Sequence, residues 1–190
     1  MIIKRNRNVC ILIILLLMMV LLSCNSNGTQ NENWSISSRG EFATCSIELA
    51  QKALSFTIII PGYLPSDLAH SPYVVGRSKE VWPADDQEIR IAYNNFSDDT
   101  LKSAVIVTER SYKVFPPGSG TDNSDRYSEI AGVEVVQAKA VMDAVAGDGW
   151  YMLDGTGFWW DSQGITFTVE VYGYSQEEAI RIVASMIEQE

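Results

Sequence analysis

A strict alternation near the C-terminus constrains the fold more than any other feature of the chain. From Ile165 to Tyr172, apolar residues occupy every second position, and residues with a polar group lie between them. Successive side chains of a strand point to opposite faces, so this pattern predicts a strand with one buried and one solvated face. Phe158-Trp159-Trp160 runs into Asp161-Ser-Gln-Gly164, which suits a type I turn closed by a glycine at positive φ. We therefore predict a β-hairpin here.

Two helices are predicted at the ends of the remaining chain. The apolar spacing between Thr44 and Leu54 suits a short helix with Thr44 or Ser46 as its N-cap. Ser175-Gln-Glu-Glu178 is a capping-box pattern, and apolar residues follow it at helical spacing from Ile180. This predicts a C-terminal amphipathic helix.

Between the helices the chain favours strands. Strand-like composition or alternation occurs at 55–60, 89–93, 105–107, 129–142 and 150–153. The order of helix, strands and helix lacks the alternation of βαβ units. The predicted fold class is therefore α+β, an antiparallel β-sheet packed by an N-terminal and a C-terminal helix on one side.

The N-terminus has the pattern of a secretory leader. Lys4, Arg5 and Arg7 precede an uninterrupted apolar stretch from Val9 to Leu22. As a helix this stretch would be roughly 21 Å long at ~1.5 Å per residue, short of a bilayer core about 30 Å thick. A cleaved signal peptide is therefore favoured over a permanent transmembrane helix.

The leader ends in Leu21-Leu22-Ser23-Cys24, which resembles the bacterial lipobox. The resemblance implies that Cys24 receives a diacylglycerol and becomes the first residue after cleavage. Two or three acyl chains hold a protein stably on a membrane, whereas one chain holds it only marginally. The predicted location is extracytoplasmic, with the protein anchored by lipid to the cell membrane or outer membrane.

These features divide the chain into three parts. Residues 1–23 are the predicted lipoprotein signal peptide, residues 24–43 a flexible polar tether, and residues 44–190 a single α+β extracytoplasmic domain. Cys10 would leave with the leader and Cys24 would carry lipid, so no disulfide bond is expected for Cys45.

Charge and composition exclude several functions. The chain has 14 basic and 24 acidic residues, and removing the leader would leave 11 basic against 24 acidic, a net charge of −13. Nucleic acid is not expected as a partner, because phosphate binding needs clustered lysine and arginine. His70 is the single histidine and no closely spaced cysteine pair occurs, so neither a metal nor another cofactor is predicted.

Catalysis has little support in the pattern of residues. His70 is the candidate general base for a hydrolase, but neither G-x-S-x-G nor S-x-x-K occurs in the chain. We therefore predict that the protein is not an enzyme, with a hydrolase using His70 as an alternative.

An aromatic group supplies the candidate ligand-binding residues, which are Trp150, Trp159, Trp160 and Tyr172. Consecutive strand residues point to opposite faces, so Trp159 and Trp160 do not share one core. We favour the interpretation that the C-terminal helix or residues 115–125 cover the outward ring. The alternative is an exposed indole, available to stack on a sugar or a peptide side chain.

The run from Glu48 to Pro65, ELAQKALSFTIIIPGYLP, resembles the opening of a bacterial extracytoplasmic family of unknown function. Members follow single membrane spans or lipoboxes, including at the outer ends of anti-sigma and sporulation-associated membrane proteins. The order of elements over residues 45–190 is also similar to periplasmic carrier folds with a curved antiparallel sheet. The resemblance implies a membrane-tethered sensing or binding domain and supplies no catalytic residues.

The leading hypothesis is a membrane-anchored lipoprotein whose domain binds a ligand or partner without catalysis. The ligand classes considered are a small molecule, a glycan or an envelope protein. A carrier or chaperone that shields an apolar cargo in a curved sheet is a further alternative, suggested by shape alone.

Overall fold

The computed structural model describes residues 36–68, 72–97, 100–114, 126–146 and 149–189. The helices are α1 (Ile47–Ala53) and α2 (Gln176–Ile187). The strands, in chain order, are β1 (Glu41–Thr44), β2 (Tyr73–Arg77), β3 (Glu88–Ser97), β4 (Thr100–Arg110), β5 (Arg126–Ile130), β6 (Val133–Ala146), β7 (Gly149–Ser162) and β8 (Ile165–Tyr172). All of these elements belong to one compact unit, Trp34–Glu190.

The eight strands form one antiparallel sheet in the order β1-β2-β3-β4-β8-β7-β6-β5. Strands β1 to β4 pair in chain order, and strands β5 to β8 do the same. The pairing of β4 with β8 joins these two meanders, with Val107 opposite Val169. The predicted α+β class with an antiparallel sheet is confirmed.

Both helices pack on one face of the sheet, which we call the helix-covered face. The side chains of Ser46 and Ser175 accept hydrogen bonds from the first turns of α1 and α2, as N-cap residues do. The buried residues of α2 include Ile182, Val183 and Met186, which belong to the same core as Val107 and Val169. Both predicted helices are confirmed, and burial of their apolar sides explains their place in the fold.

Residues Ser55 to Ile60 are not a strand, and that prediction is wrong. Their backbone is held by side chains rather than by a neighbouring strand: Gln51 accepts from the N–H of Ile58, and Gln87 accepts from the N–H of Ser55. Ile58 and Ile59 pack against the main core. A β-branched run therefore serves here as an extended cover over the core, with side-chain acceptors replacing sheet hydrogen bonds.

The predicted C-terminal hairpin is confirmed, with a different turn. Ser162 pairs with Ile165, and Gln163 and Gly164 both have positive φ, 50° and 81°. Two residues at positive φ characterise a type I′ turn, whose twist matches the flanking strands. The predicted strand 129–142 is interrupted by a second such turn at Ala131–Gly132, which separates β5 from β6.

The folded part of the chain begins before residue 44. The predicted tether, residues 24–43, includes most of β1, and Phe42 pairs with Gly76 and is buried in the main core. Burial of this phenylalanine accounts for the earlier boundary. Within the described ranges, neither helix is long and apolar enough to cross a bilayer.

The far face of the sheet, opposite the helices, carries a second and smaller apolar cluster. It contains Leu101, Ala104, Ile106, Ala140 and Tyr172. The hydroxyl of Tyr151 on β7 donates to the carbonyl oxygen of Leu101 on β4, although β8 lies between these strands in the sheet. The sheet is therefore curved, and the distal parts of β6 and β7 bend toward β4.

Candidate functional site

The two adjacent tryptophans occupy opposite faces of β7, as predicted. Trp160 belongs to the main core on the helix-covered face and stacks on Phe167, its partner on β8, with ring centroids 5.0 Å apart and planes 8° apart. Only 4% of Trp160 is exposed. This side chain therefore stabilises the core, where its ring packs on Phe167.

Trp159 lies on the far face and is also buried, at 7% exposure. Its ring covers Gly157, two residues earlier on the same strand: a Cβ at Gly157 would lie 2.3 Å from Cη2 of Trp159. The ring of Tyr172 similarly lies over Gly155. The glycines are required because each leaves space for an aromatic ring directly above the strand.

The outward ring is therefore covered, as favoured, and the alternative of an exposed indole is wrong. The cover is not the C-terminal helix, which packs on the other face, and residues 115–125 lie outside the described residues. The sequence pattern placed the two rings on opposite faces correctly, but it did not reveal that Gly157 lets Trp159 lie flat on its own strand. The structure brings Trp159 and Tyr172 to the far face and separates both from Trp160. The side chain of Trp150, the fourth candidate residue, lies outside the described residues.

A pocket of about 290 Å³ opens beside Trp159. Its walls come from the segment after β4, from β6, and from the hairpin between β7 and β8. The lining residues are Lys113, Val114, Glu134, Val136, Trp159, Trp160, Asp161 and Thr166. The cross-strand pairs Val136–Trp159 and Asp161–Thr166 hold three strands of the wall in register.

One side of the pocket carries an ordered carboxylate. The hydroxyl of Thr166 donates to Oδ1 of Asp161 at 2.7 Å, and Nζ of Lys113 lies 3.4 Å from Oδ2. The Lys113 and Asp161 side chains are 69% and 49% exposed, so their attraction is screened by solvent. Glu134, also exposed, adds a second acidic group to the wall.

A polar network continues from the pocket across the far face. Arg110, which pairs with Thr166, donates to Glu88 at 3.1 Å and to Thr168 at 3.1 Å. The hydroxyl of Tyr112 also donates to Glu88. Burial, and then this hydrogen bond, raise the pKa of Tyr112. The arginine is thereby held by internal partners next to the pocket.

No family model, no curated protein and no solved structure matches this chain.

The candidate base and the lipid-attachment cysteine of the sequence analysis receive no geometry from the structure. His70 and Cys24 both lie outside the described residues. Cys45 is disulfide-bonded, so the expectation that it forms no disulfide is wrong. Within the described ranges, no group of three or more histidine, cysteine or acidic side chains is placed to hold a metal ion.

Sequence reasoning missed most residues of the pocket wall. Lys113 follows β4, whereas Glu134 lies on β6. Both reach the same pocket only because β8 and β7 join these strands in the sheet, and the β4–β8 pairing is between residues distant in sequence. The recognisable signal was the turn after Trp160, because it placed Asp161 at a strand end. Nothing in the linear pattern links that turn to Lys113.

Proposed function

We propose that this protein is a bacterial cell-envelope lipoprotein, anchored through lipid at Cys24, whose domain binds a ligand or partner group without catalysis. The anchoring part rests on Leu21-Leu22-Ser23-Cys24 behind a short apolar stretch and a basic N-terminus. The resemblance of Glu48–Pro65 to an extracytoplasmic domain of unknown function supports the same location.

The observation that carries the binding part is the pocket beside Trp159. It combines an apolar wall, which includes Val114 and Val136, with a carboxylate oriented by Thr166. Concave sites with apolar walls and a few placed polar groups are typical of ligand binding. The pocket is small, at about 290 Å³, so it suits a small molecule or one side chain of a partner.

The anchor is tested by metabolic labelling with a radioactive fatty acid and by membrane fractionation. We expect Cys24→Ala to abolish labelling and release the domain from membranes. Cys10→Ala, a matched change inside the leader, should leave both unchanged. Membrane retention of the Cys24→Ala variant together with absence of label from the wild type would contradict the anchor.

The disulfide of Cys45 stands against the lipid anchor and so provides a second test, because cleavage of the leader removes Cys10 and a lipidated Cys24 leaves Cys45 no partner within the same chain. The chain has three cysteines, and a Cys24 sulfur in a thioether is unable to form a disulfide. A non-reducing digest of the membrane-bound protein, read by mass spectrometry, should contain a Cys24 peptide with an acyl group. A Cys24 peptide joined to the Cys45 peptide would overturn the lipoprotein proposal.

The binding part is tested on the full chain in dodecyl maltoside, labelled with 5-fluorotryptophan. The ¹⁹F resonance of Trp159 is assigned with Trp159→Phe. A small-molecule extract of the producing cells' envelope should shift this resonance in the wild type and in Asp154→Asn, and not in Asp161→Asn. Asp154 is a suitable control because it pairs with Lys139 at 3.0 Å, outside the pocket wall. An unchanged Trp159 resonance in the presence of the extract would count against binding of a small molecule. Loss of the shift in Asp154→Asn would show that the effect of Asp161→Asn is not specific to the pocket.

A further inference from the structure

We propose that the pocket beside Trp159 selects an aliphatic ammonium group, either a small free amine or a lysine side chain of a partner. This inference rests on the proposed binding function and names the ligand chemistry of the same site. It is carried by the position of Lys113 relative to Asp161, by the two acidic groups of the wall, and by the apolar surface next to them.

The structure contains an ammonium group at the proposed position. Nζ of Lys113 lies 3.4 Å from Oδ2 of Asp161, while Thr166 orients the other oxygen of the carboxylate from 2.7 Å. Thr166 thus holds the Asp161 carboxylate in an orientation that leaves Oδ2 directed at an ammonium group. Lys113 is 69% exposed, and solvent screening makes exposed ion pairs of this kind weak. A ligand ammonium can therefore displace it at little cost.

The charges around the pocket favour a cation over an anion. Among the lining residues, Glu134 and Asp161 carry negative charge and Lys113 carries positive charge, so the wall has an excess of negative charge. Arg110, the nearest cation on the adjacent strand, is hydrogen-bonded to Glu88 and Thr168. The chain as a whole has a net charge of −10, which attracts cationic ligands over longer distances.

The remaining wall suits the methylene groups of an alkylamine. Val114, Val136 and Trp159 supply apolar surface beside the two carboxylates. Long amine side chains bury their methylenes on such surfaces while the charged end stays with polar partners, and an indole ring also attracts cations. The volume of about 290 Å³ is enough for one such chain.

The test compares probes of equal shape and different charge on the full chain in dodecyl maltoside. n-Butylammonium, 1-butanol and butyrate are titrated while the ¹⁹F resonance of Trp159 is followed. We expect saturable shifts with n-butylammonium, and none with the other two at the same concentrations. Saturation by butyrate, or equal affinity for butanol, would overturn the inference.

Variants of the wall distinguish the role of each charge. Asp161→Asn should weaken n-butylammonium binding at least fivefold, Glu134→Gln should weaken it by a smaller factor, and the control Asp154→Asn should not change it. Glu134→Gln keeps the test decisive if loss of the Thr166 hydrogen bond perturbs Asp161→Asn. Unchanged affinity in both wall variants would contradict the proposed site.

Lys113→Met provides the most specific outcome, because removing the internal ammonium should tighten n-butylammonium binding severalfold. Loss of binding in this variant would indicate that Lys113 holds the ligand, and would overturn the inference.

Two lysine-like probes identify the source of the ammonium. Nα-acetyl-lysine methylamide, which resembles a lysine within a protein, should bind more tightly than n-butylammonium if the ligand is a partner side chain, and more weakly if it is a free amine. Failure of both, with the extract still shifting Trp159, would reject the ammonium and leave the proposed binding function in place.

Discussion

Oε1 of Glu109 accepts a hydrogen bond from the backbone N–H of Ile59 at 3.0 Å, and so ties strand β4 to a segment 50 residues earlier in the chain. Glu109 is fully buried on the helix-covered face, where it lies opposite Ile89 and Phe167. Burying a carboxylate is costly, so the hydrogen bond from Ile59 is needed to offset part of this cost. It holds the extended cover of residues 55–60 over the core.

Glu109→Ala should destabilise the protein measurably. The partly buried N–H of Ile59 would lose its acceptor at a cost of about 1 kcal/mol, with a further contribution from the space that the side chain leaves behind. Glu109→Gln should lose less, because an amide oxygen still accepts from Ile59. Urea unfolding measures both, with the exposed Glu129→Gln as the control. Equal losses for the alanine and glutamine variants would argue against this hydrogen bond as the cause.

Gly157→Ala should destabilise the protein because its Cβ would overlap the Trp159 ring, which lies 2.3 Å from the ideal Cβ position. Overpacking of this kind costs about 1 to 3 kcal/mol. In a Trp159→Leu background the same change should cost much less. A double-mutant cycle by urea unfolding measures the coupling, and additive losses would show that the ring does not occupy this space.

Ala131→Asn should stabilise the protein by about 0.5 to 1 kcal/mol. Ala131 has φ of 48° in the turn before β6, a conformation that asparagine adopts more readily than alanine. Ala131→Val should have the opposite effect, because a β-branched residue is strained at positive φ. The melting temperatures of the three proteins should rank asparagine, alanine, valine, and any other order contradicts the turn geometry.

Stability should fall above pH 10. Burial, followed by the charge of Glu109, raises the pKa of Tyr93 to about 12. Burial also raises the pKa of Tyr174 to about 12. The hydrogen bond that Tyr174 accepts from Ser103 lowers this pKa, and the one that it donates to Asp67 raises it. Both phenols hold their protons more tightly in the folded state than in the unfolded state. Their contribution to stability is therefore complete below pH 10 and is lost as the pH rises to about 12.

Urea unfolding between pH 9 and pH 11.5 measures this loss. Tyr93→Phe should flatten the decline, since it removes a group whose pKa rises from 10 to about 12 on folding, a difference that corresponds to roughly 2 to 3 kcal/mol. A Tyr93→Phe protein with the same pH dependence as the wild type would show that another group is responsible.

The parts of the fold that local patterns determine were predictable. Ser46 and Ser175 mark helix starts because N-capping involves residues only three positions apart. The alternation after Ile165 predicts its strand for the same reason. Each of these signals lies within a few residues, so tertiary contacts are not needed to interpret it.

The misassigned parts depend on contacts between distant residues. Residues 55–60 have the composition of a strand, but their hydrogen bonds go to Gln87 and Glu109, which no local pattern reveals. The pocket depends in the same way on Lys113 reaching Asp161. For the tryptophan pair, periodicity predicted the faces, whereas the packing of a ring over Gly157 decided the exposure.

The pairing of β4 with β8 also has a consequence for the order of folding. Every other strand pair joins strands that are consecutive in the chain, whereas three further strands separate β4 from β8, so their pairing requires the longest loop closure in the sheet. Until the second meander has formed, the first presents β4 as an unpaired edge with the apolar side chains of Val105 and Val107. An unpaired apolar edge is prone to intermolecular pairing. The chain is therefore most prone to aggregation before β8 pairs with β4 and completes the sheet.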